Sequence, residues 1–385
     1  MTNTFDITDF GAIGDKETDC TAAIQQALDK SGEVSGVVIV PPGNYLCGML
    51  TVPKGVSFTG THAWTFGQDG SSILTLIDGS HKCLLDITKA AGCTIKGLSI
   101  NGGKLGSGIH GVMLDQDVYN GGGAEHTPTI EDCRIGSFTG DGVHLNHIWC
   151  FSIRHSMLCF NTGHGLYING WDGFILDNWM SGNGGAGIYA DKVAASVTAT
   201  GNRVEWNRLA GFYFNNSNTI NLTGNYFDRS GGPALWITAD AGRQSDTVTA
   251  TGNIFNRSGA GDFAEKGPED DLNNCHVRLQ RCVNMVLSGN SFRVGMNDGG
   301  VGRRSPDYGM VLGHLRGCVI KDNAMMCGSI KKNIVDLGGH EGNALGESNV
   351  IIKDNAGEAC EQAGIFWPAL SDWEQPNTYG ENAGV

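Results

Sequence analysis

One short pattern recurs along the chain from about residue 108: Gly, apolar, any residue, apolar, polar. It stands at Gly111-Val-Met-Leu-Asp115, Gly142-Val-His-Leu-Asn146, Gly165-Leu-Tyr-Ile-Asn169, Gly187-Ile-Tyr-Ala-Asp191 and Gly211-Phe-Tyr-Phe-Asn215. Ala234-Leu-Trp-Ile-Thr238, His276-Val-Arg-Leu-Gln280 and Gly309-Met-Val-Leu-Gly313 continue it. Successive starts lie 31, 23, 22, 24, 23, 42 and 33 residues apart, so the period is 22–24 with three enlarged repeats. Alternation over so few residues predicts a short strand. Repetition at a fixed period predicts a solenoid, whose coils bury their apolar faces only by stacking on one another.

A second pattern falls between these strands: Asp177-Asn178, Gly201-Asn202, Gly224-Asn225, Gly252-Asn253, Gly289-Asn290, Asp322-Asn323 and Asp354-Asn355. Asn tolerates left-handed backbone and bonds its own chain, so it is expected at a tight corner. Stacked from coil to coil, such side chains form an amide ladder. The expectation is an all-β solenoid of about ten coils spaced about 4.8 Å apart. Near the N-terminus, Ala22–Lys30 follows Thr18-Asp-Cys-Thr21 and carries Ile24, Ala27 and Leu28 on one face. This predicts a short capping helix that plugs the first coil. Residues 1–356 then form one domain, its cap reaching to about residue 60, and 357–385 a C-terminal extension on the last coils or a neighbouring subunit.

Composition narrows this picture. Gly is 59 of 385 residues, roughly twice the usual share, and corners account for much of the excess. With Pro at 9 and no Gly-X-Y repeat the chain is not collagen-like. No run of about 18 apolar residues would span a membrane. The net charge of −14 argues against a nucleic-acid partner and, more weakly, against a polyanionic substrate. The 12 Cys are scattered without a Cys-x-x-Cys pair. They are expected to be reduced core thiols, not zinc ligands or a disulfide framework. The first residues lack the basic and apolar regions of a signal peptide, so a cytoplasmic location is expected.

Asp9-Phe-Gly-Ala-Ile-Gly-Asp15, the helix, and Val40-Pro-Pro-Gly-Asn-Tyr45 resemble the opening of the pectate-lyase-like superfamily. That resemblance implies a right-handed parallel β-helix and, for most members, cleavage or binding of polysaccharides. Hydrolases, lyases, epimerases, fructotransferases and phage tailspikes share the fold, so the exposed columns must decide the function.

In the repeat, the third and fifth positions and the residue before Gly are expected to point outward. The residue before Gly gives His110, Asp141 and His164. The third gives Met113, His144, Tyr167, Tyr189, Tyr213, Trp236 and Arg278. The fifth gives Asp115, Asn146, Asn169, Asp191, Asn215, Thr238 and Gln280. Four consecutive aromatics make a stripe that fits the flat faces of sugar rings, or else a subunit interface. The neighbouring amides and carboxylates suit sugar hydroxyls. His144, Asn146, Tyr167, Asn169, Tyr189, Tyr213, Asn215, Trp236 and Arg278 are thus the candidate substrate-binding residues.

Asp141, stacked between His110 and His164, is the candidate acid, its protonation tuned by flanking imidazoles. Gly140-Asp-Gly-Val-His-Leu145 and Gly163-His-Gly-Leu-Tyr-Ile168 look like two adjacent polygalacturonase motifs. That resemblance implies Asp141 as acid and His164 as its helper. Gly140 replaces the first Asp of the pair, His110 an Asp of the preceding motif, and no Arg stands near Tyr189-Ala-Asp191. A neutral sugar therefore fits better than galacturonate. Asp191, Glu205 and Asp228 are candidates for the second carboxylate, the last two on turns leading into the face. The enlarged repeats add Asp262, Glu265, Glu269, Asp270, Asp271, Asp298, Arg303, Arg304 and Asp307 on loops. No metal or cofactor is expected, since Asp115 and Asp191 are too far apart to share an ion.

The expected function is cleavage of glycosidic bonds in a neutral oligo- or polysaccharide, by hydrolysis or intramolecular transfer. The Gly-Asn corners and the segment Asp307-Tyr-Gly-Met-Val carry a fainter resemblance to inulin fructotransferases, which implies a homotrimer and supports transfer. A pectate-lyase-type lyase and a non-catalytic glycan-binding or tailspike-like protein are the alternatives.

Overall fold

The computed structural model describes residues 3–61, 65–116, 125–261, 272–294, 305–342 and 349–359. The chain divides into two compact units, residues 1–189 and 190–385. The acidic and basic loop residues expected at 262–271, 298, 303 and 304, and residues 360–385 of the expected C-terminal extension, lie outside the described residues.

In the first unit three stacks of parallel strands run side by side. One contains Leu50–Thr51, Cys83–Asp86, His110–Asp115, Val143–Arg154 and Leu166–Leu176, ending at Ile188 and Tyr189. A second joins Thr4–Asp6, Val37–Val40, Ser57–Gly60, Thr94–Lys96 and Thr129–Glu131 to the far half of Val143–Arg154. The third runs from Asp15–Asp19 through Gly43–Cys47, Ser72–Leu76, Ser99–Asn101, Arg134–Gly136 and Met157–Cys159 to Trp179–Ser181. From Leu50 on, successive turns of the chain visit all three. Met113, His144, Tyr167 and Tyr189 face one another in register, so the predicted column is real. The helix, Thr21–Gly32, buries Ile24, Ala27 and Leu28 and packs on Thr4–Asp6, Val37–Val40 and Leu50–Thr51. Its first free N–H, at Thr21, is satisfied by Asp19 Oδ1 at 2.9 Å.

The second unit repeats the arrangement. Phe212–Asn215, Leu235–Thr238, Cys275–Ser288, Tyr308–Arg316 and Lys332–Asp336 form one stack, with Tyr213, Trp236, Arg278 and Val311 in register. Arg203–Glu205, Tyr226–Asp228, Ile254–Asn256 and Ser291–Arg293 form another. Its core carries the rings of Phe212, Phe227, Phe255 and Phe292 in sequence, with centroids 4.9, 5.2 and 4.8 Å apart.

The amide ladder is present. Asn202, Asn225, Asn253, Asn290, Asn323 and Asn355 are buried, and each Nδ2 donates to the next Oδ1 at 2.8–3.0 Å. One detail is corrected. The left-handed position is the residue before each Asn, here Gly201, Gly224, Gly252, Gly289, Asp322 and Asp354. In the Gly-Asn and Asp-Asn pairs, therefore, the first residue turns the chain and the second bonds the next coil. Among the described residues ten cysteines are free and nine of these are buried, but Cys327 forms a disulfide, so the expectation of reduced thiols fails there. Among the described residues no helix is long and apolar enough to cross a membrane.

Candidate active site

The turn Gly140-Asp141-Gly142 precedes the strand Val143–Arg154. Because Asp141 lies before the strand begins, strand alternation does not fix its side chain. A ladder along the stack does. The Asp141 N–H donates to His110 Nδ1 at 2.9 Å, the His164 N–H donates to Asp141 Oδ1 at 2.7 Å, and the Ala186 N–H donates to His164 Nδ1 at 2.9 Å. Each side chain of the column thus accepts the backbone N–H one coil further on. A Cβ at Gly140, Gly163 or Gly185 would collide with His110 Nδ1, Asp141 Oδ1 or His164 Nδ1 respectively. The Gly-Asp-Gly and Gly-His-Gly motifs therefore have a structural cause: the first Gly leaves room for the ladder.

The second oxygen of Asp141 leaves the ladder. Its Oδ2 accepts from His144 Nδ1 at 2.8 Å, and His110 Nδ1 lies 3.4 Å away. His144 was expected only as a binding residue; it is the imidazole bonded to this carboxylate. The expected helper, His164, reaches Asp141 through its backbone N–H, while its ring stacks on Tyr189 with centroids 4.0 Å apart. His144 stacks on Tyr167 at 4.4 Å and lies 4.3 Å from the His110 ring.

These bonds set the protonation states. A nitrogen that accepts an N–H carries no proton, so His110 and His164, when neutral, are protonated at Nε2. Burial pushes the His110 imidazole down to about 4, against the pull of Asp141. Burial also pushes the Asp141 carboxyl up. The His144 bond, the neighbouring His164 with its backbone N–H, and His110 outweigh this and hold it below the ordinary carboxylate range. These bonds favour the ionised, accepting form of Asp141, whereas the expected acid must hold a proton at working pH. Against an ionised carboxylate His144 Nδ1 must donate, which leaves its Nε2 lone pair free of that bond.

His110, Asp141 and His144 offer ligand atoms within 4.8 Å of one another. The converging atoms are already engaged, His110 Nδ1 by the Asp141 N–H and Asp141 Oδ2 by His144. An ion taken up through these two atoms would displace both bonds.

Beside this cluster the amides are partly occupied. Asn146 Nδ2 donates to Asp115 Oδ1 and Asn169 Nδ2 donates to Asn146 Oδ1, each at 2.8 Å. The outward stripe is not bare either: Met113 is buried, and Tyr167 and Tyr189 are half-buried.

In the second unit Tyr213 and Trp236 pack edge to face with centroids 5.1 Å apart. Arg278 is buried and donates to Gln280 Oε1 at 3.3 Å. Asn215 Nδ2 donates to the Asp191 carbonyl at 3.1 Å. Glu205 and Asp228 were expected on turns leading into the face. They end the strands Arg203–Glu205 and Tyr226–Asp228, in a different stack from Tyr213 and Trp236. Glu205 accepts from Arg203 Nε at 3.0 Å. Asp228 is fully buried, bonded to Arg229 and held by Arg257 through Nε at 2.9 Å and Nη2 at 2.6 Å. Burial pushes its carboxyl up to about 6 against both guanidinium groups. With its oxygens enclosed by arginines, Asp228 is a structural ion pair and not a substrate-facing carboxylate.

Parallel strands in register, buried amide rungs and an apolar interior are the defining features of a stacked β-coil. A family profile described as "Right handed beta helix region" matches residues 83–255 and 141–299. That is more than half of the chain, and the chain belongs to this family, within the pectate-lyase-like superfamily of right-handed parallel β-helices. Mannuronan C5-epimerase AlgE2 of Azotobacter vinelandii is 26% identical over 200 residues, covering 46% of this chain and 18% of that protein. The chain thus matches less than a fifth of that relative's length. Among solved structures, the A-module of mannuronan C-5 epimerase AlgE4 of A. vinelandii superposes with a TM-score of 0.65 at 17% identity, over 95% of this chain and 98% of that one. The DFA-IIIase of Arthrobacter chlorophenolicus A6 without its lid gives 0.61 at 14% identity, over 93% and 99%. At these identities the likeness is one of fold.

Proposed function

We propose that the chain is an enzyme acting on a polysaccharide, and that His144, oriented by Asp141, is its proton-transfer group. The observation that carries this reading is the 2.8 Å bond from His144 Nδ1 to Asp141 Oδ2. It fixes the tautomer and supports the imidazolium that forms when Nε2 takes a proton. The imidazole keeps 20% of its side chain exposed, against 8% for Asp141. Tyr167, stacked on His144, and Tyr189 next to it offer the sugar-facing aromatic surface.

Proton abstraction from a sugar carbon beside a carboxyl group, the step shared by epimerisation and β-elimination, suits a histidine base. Glycosidic hydrolysis needs two carboxyl groups about 5–9.5 Å apart, one of them protonated, and Asp141 is ionised and enclosed. That two mannuronan epimerases are among the similar proteins supports the same class. Cleavage of a neutral oligosaccharide is the second reading, favoured by Asp115, Asn146 and Asn169, which offer hydroxyl partners without a cation.

The test is a product profile on mannuronan, pectate, fructans and glucans for the wild type and His144→Ala. Changed uronate stereochemistry by NMR, or ultraviolet absorbance of an unsaturated product, both abolished in the variant, is the expected result. New reducing ends on a neutral glycan would favour the second reading. Undiminished turnover by His144→Ala would remove the base assignment. Glycan binding with no turnover by the wild type would leave an adhesion protein.

A further inference from the structure

The second unit carries a cluster of cations that the repeat pattern does not announce. The strand Cys275–Ser288 passes through a left-handed residue at Arg281, φ 56°, and the strand Tyr308–Arg316 does so at His314, φ 53°. Gln280 pairs with Gly313 and Cys282 with Leu315, so the two kinks lie side by side, and Val283 pairs with Arg316 just beyond. Arg243 and Gln244 supply one wall and Glu341 the other. Together they enclose a cavity of about 320 Å³, at the lower end of the range of about 300–1,000 Å³ for small-ligand sites.

Three guanidinium groups share this cavity in a chain whose net charge is −14. Arg316 donates to Glu341 Oε2 and to Gln244 Oε1, each at 3.2 Å. Arg281 gives one N–H to the Ala239 carbonyl at 3.3 Å. Among the described residues no carboxylate forms an ion pair with Arg243 or Arg281. Asp240 feels the charge of both, but its oxygens accept the amides of Asn215 and Asn216 at 3.1 and 2.7 Å. Convergent cations repel one another unless an anion joins them. A guanidinium fork matches the paired oxygens of a carboxylate, sulfate or phosphate. Arg278, whose partner in register is Trp236, lies three residues before Arg281 on the same strand, about 10 Å away.

We propose that this cavity is a binding site for the oxyanion group of an acidic saccharide, with Arg243 and Arg281 as the principal ligands and Arg316 released to it from Glu341. The inference stands apart from the His144 reading, because binding is measured without turnover. The net charge of the whole chain does not oppose it, since the field at a concave site is set by the groups that line it.

The experiment is isothermal titration calorimetry on the full chain with trigalacturonate, its fully methyl-esterified form and inorganic phosphate, at low and at physiological salt. Trigalacturonate binding, weakened about tenfold or more by methyl esterification and again in the double variant Arg243→Gln/Arg281→Gln, is the expected result. Affinity should fall as salt rises. Glu341→Gln, which removes the competing carboxylate, should tighten binding about two- to fivefold, a gain that a misfolded variant could not give. Phosphate competing with trigalacturonate places both at one oxyanion site, and phosphate binding alone assigns the site to a phosphate group. Equal affinity of wild type and double variant, or no binding by either anion, overturns the proposal.

Discussion

Asp141 and Asp228 are both buried carboxylates, one in each unit, and both have every oxygen engaged. Their partners separate them. Asp228 is enclosed by two guanidinium groups, which stay charged at any ordinary pH. Asp141 is enclosed by one backbone N–H and imidazoles, which can change their proton, and one of these, His144, keeps an exposed edge. The same residue type at similar burial thus meets permanent charges in one place and titratable imidazoles in the other. What distinguishes them is whether the partner can titrate and whether it reaches solvent, and neither property is visible in the carboxylate itself.

The largest effect that would test this contrast is on stability. Asp228→Asn removes the buried carboxylate shared by Arg229 and the partly exposed Arg257, and breaking such a pair costs about 3–5 kcal/mol. Asp141→Asn strands no permanent cation, so urea denaturation should show a loss of roughly 1–2 kcal/mol, in line with one weakened hydrogen bond. Equal losses in the two variants would erase the distinction.

The next effect is on turnover and runs the opposite way. In Asp141→Asn the amide oxygen can still accept the His164 N–H, which points Nδ2 at His144. A donor there forces the His144 proton onto Nε2 and removes the base, a change that lowers kcat by about 10²–10⁴-fold in comparable histidine sites. KM should stay within about threefold. Asp228→Asn, assayed below its melting range, should retain wild-type kcat. A variant at Asp141 that loses stability and not turnover would make it a ladder residue only, like His110 and His164.

Much of this is legible in the sequence. The register Met113–His144–Tyr167–Tyr189 follows from counting residues between glycines, because a solenoid stacks equivalent positions directly. The Asn ladder and the buried face of the first helix follow from spacing in the same way. Three features do not. Asp141 sits in a turn, where alternation carries no information, so its bond to His144 three residues later could not be derived. Glu205 and Asp228 end strands of only three residues, too short for a periodic signal, so spacing alone reads them as turns. Arg243, Arg281 and Arg316 are spread over enlarged repeats, 38 and 35 residues apart, and only strand pairing brings them together.

The smallest expected effect concerns the third member of the Asp141 cluster and bears on the protonation states directly. His110 is held neutral in the fold, its pKa pushed down to about 4 by burial, whereas in the unfolded chain it titrates near 6.5. Between those values the unfolded state binds the extra proton, so stability falls as pH drops from about 6.5 toward 4. His276, fully buried with its pKa pushed down to about 3, adds a second contribution of the same sign. Asp228, its carboxyl pushed up to about 6, contributes with the opposite sign, equally in wild type and variant. His110→Asn keeps an oxygen to accept the Asp141 N–H but has nothing to titrate. Its urea midpoint, measured from pH 7 to pH 5, should therefore decline less steeply than that of the wild type, by at most the slope one proton can give. An unchanged slope would mean that His110 is already protonated in the fold. Its Nδ1 could then not accept the Asp141 N–H, and the assignment of His144 as the imidazole with an available Nε2 would lose its basis.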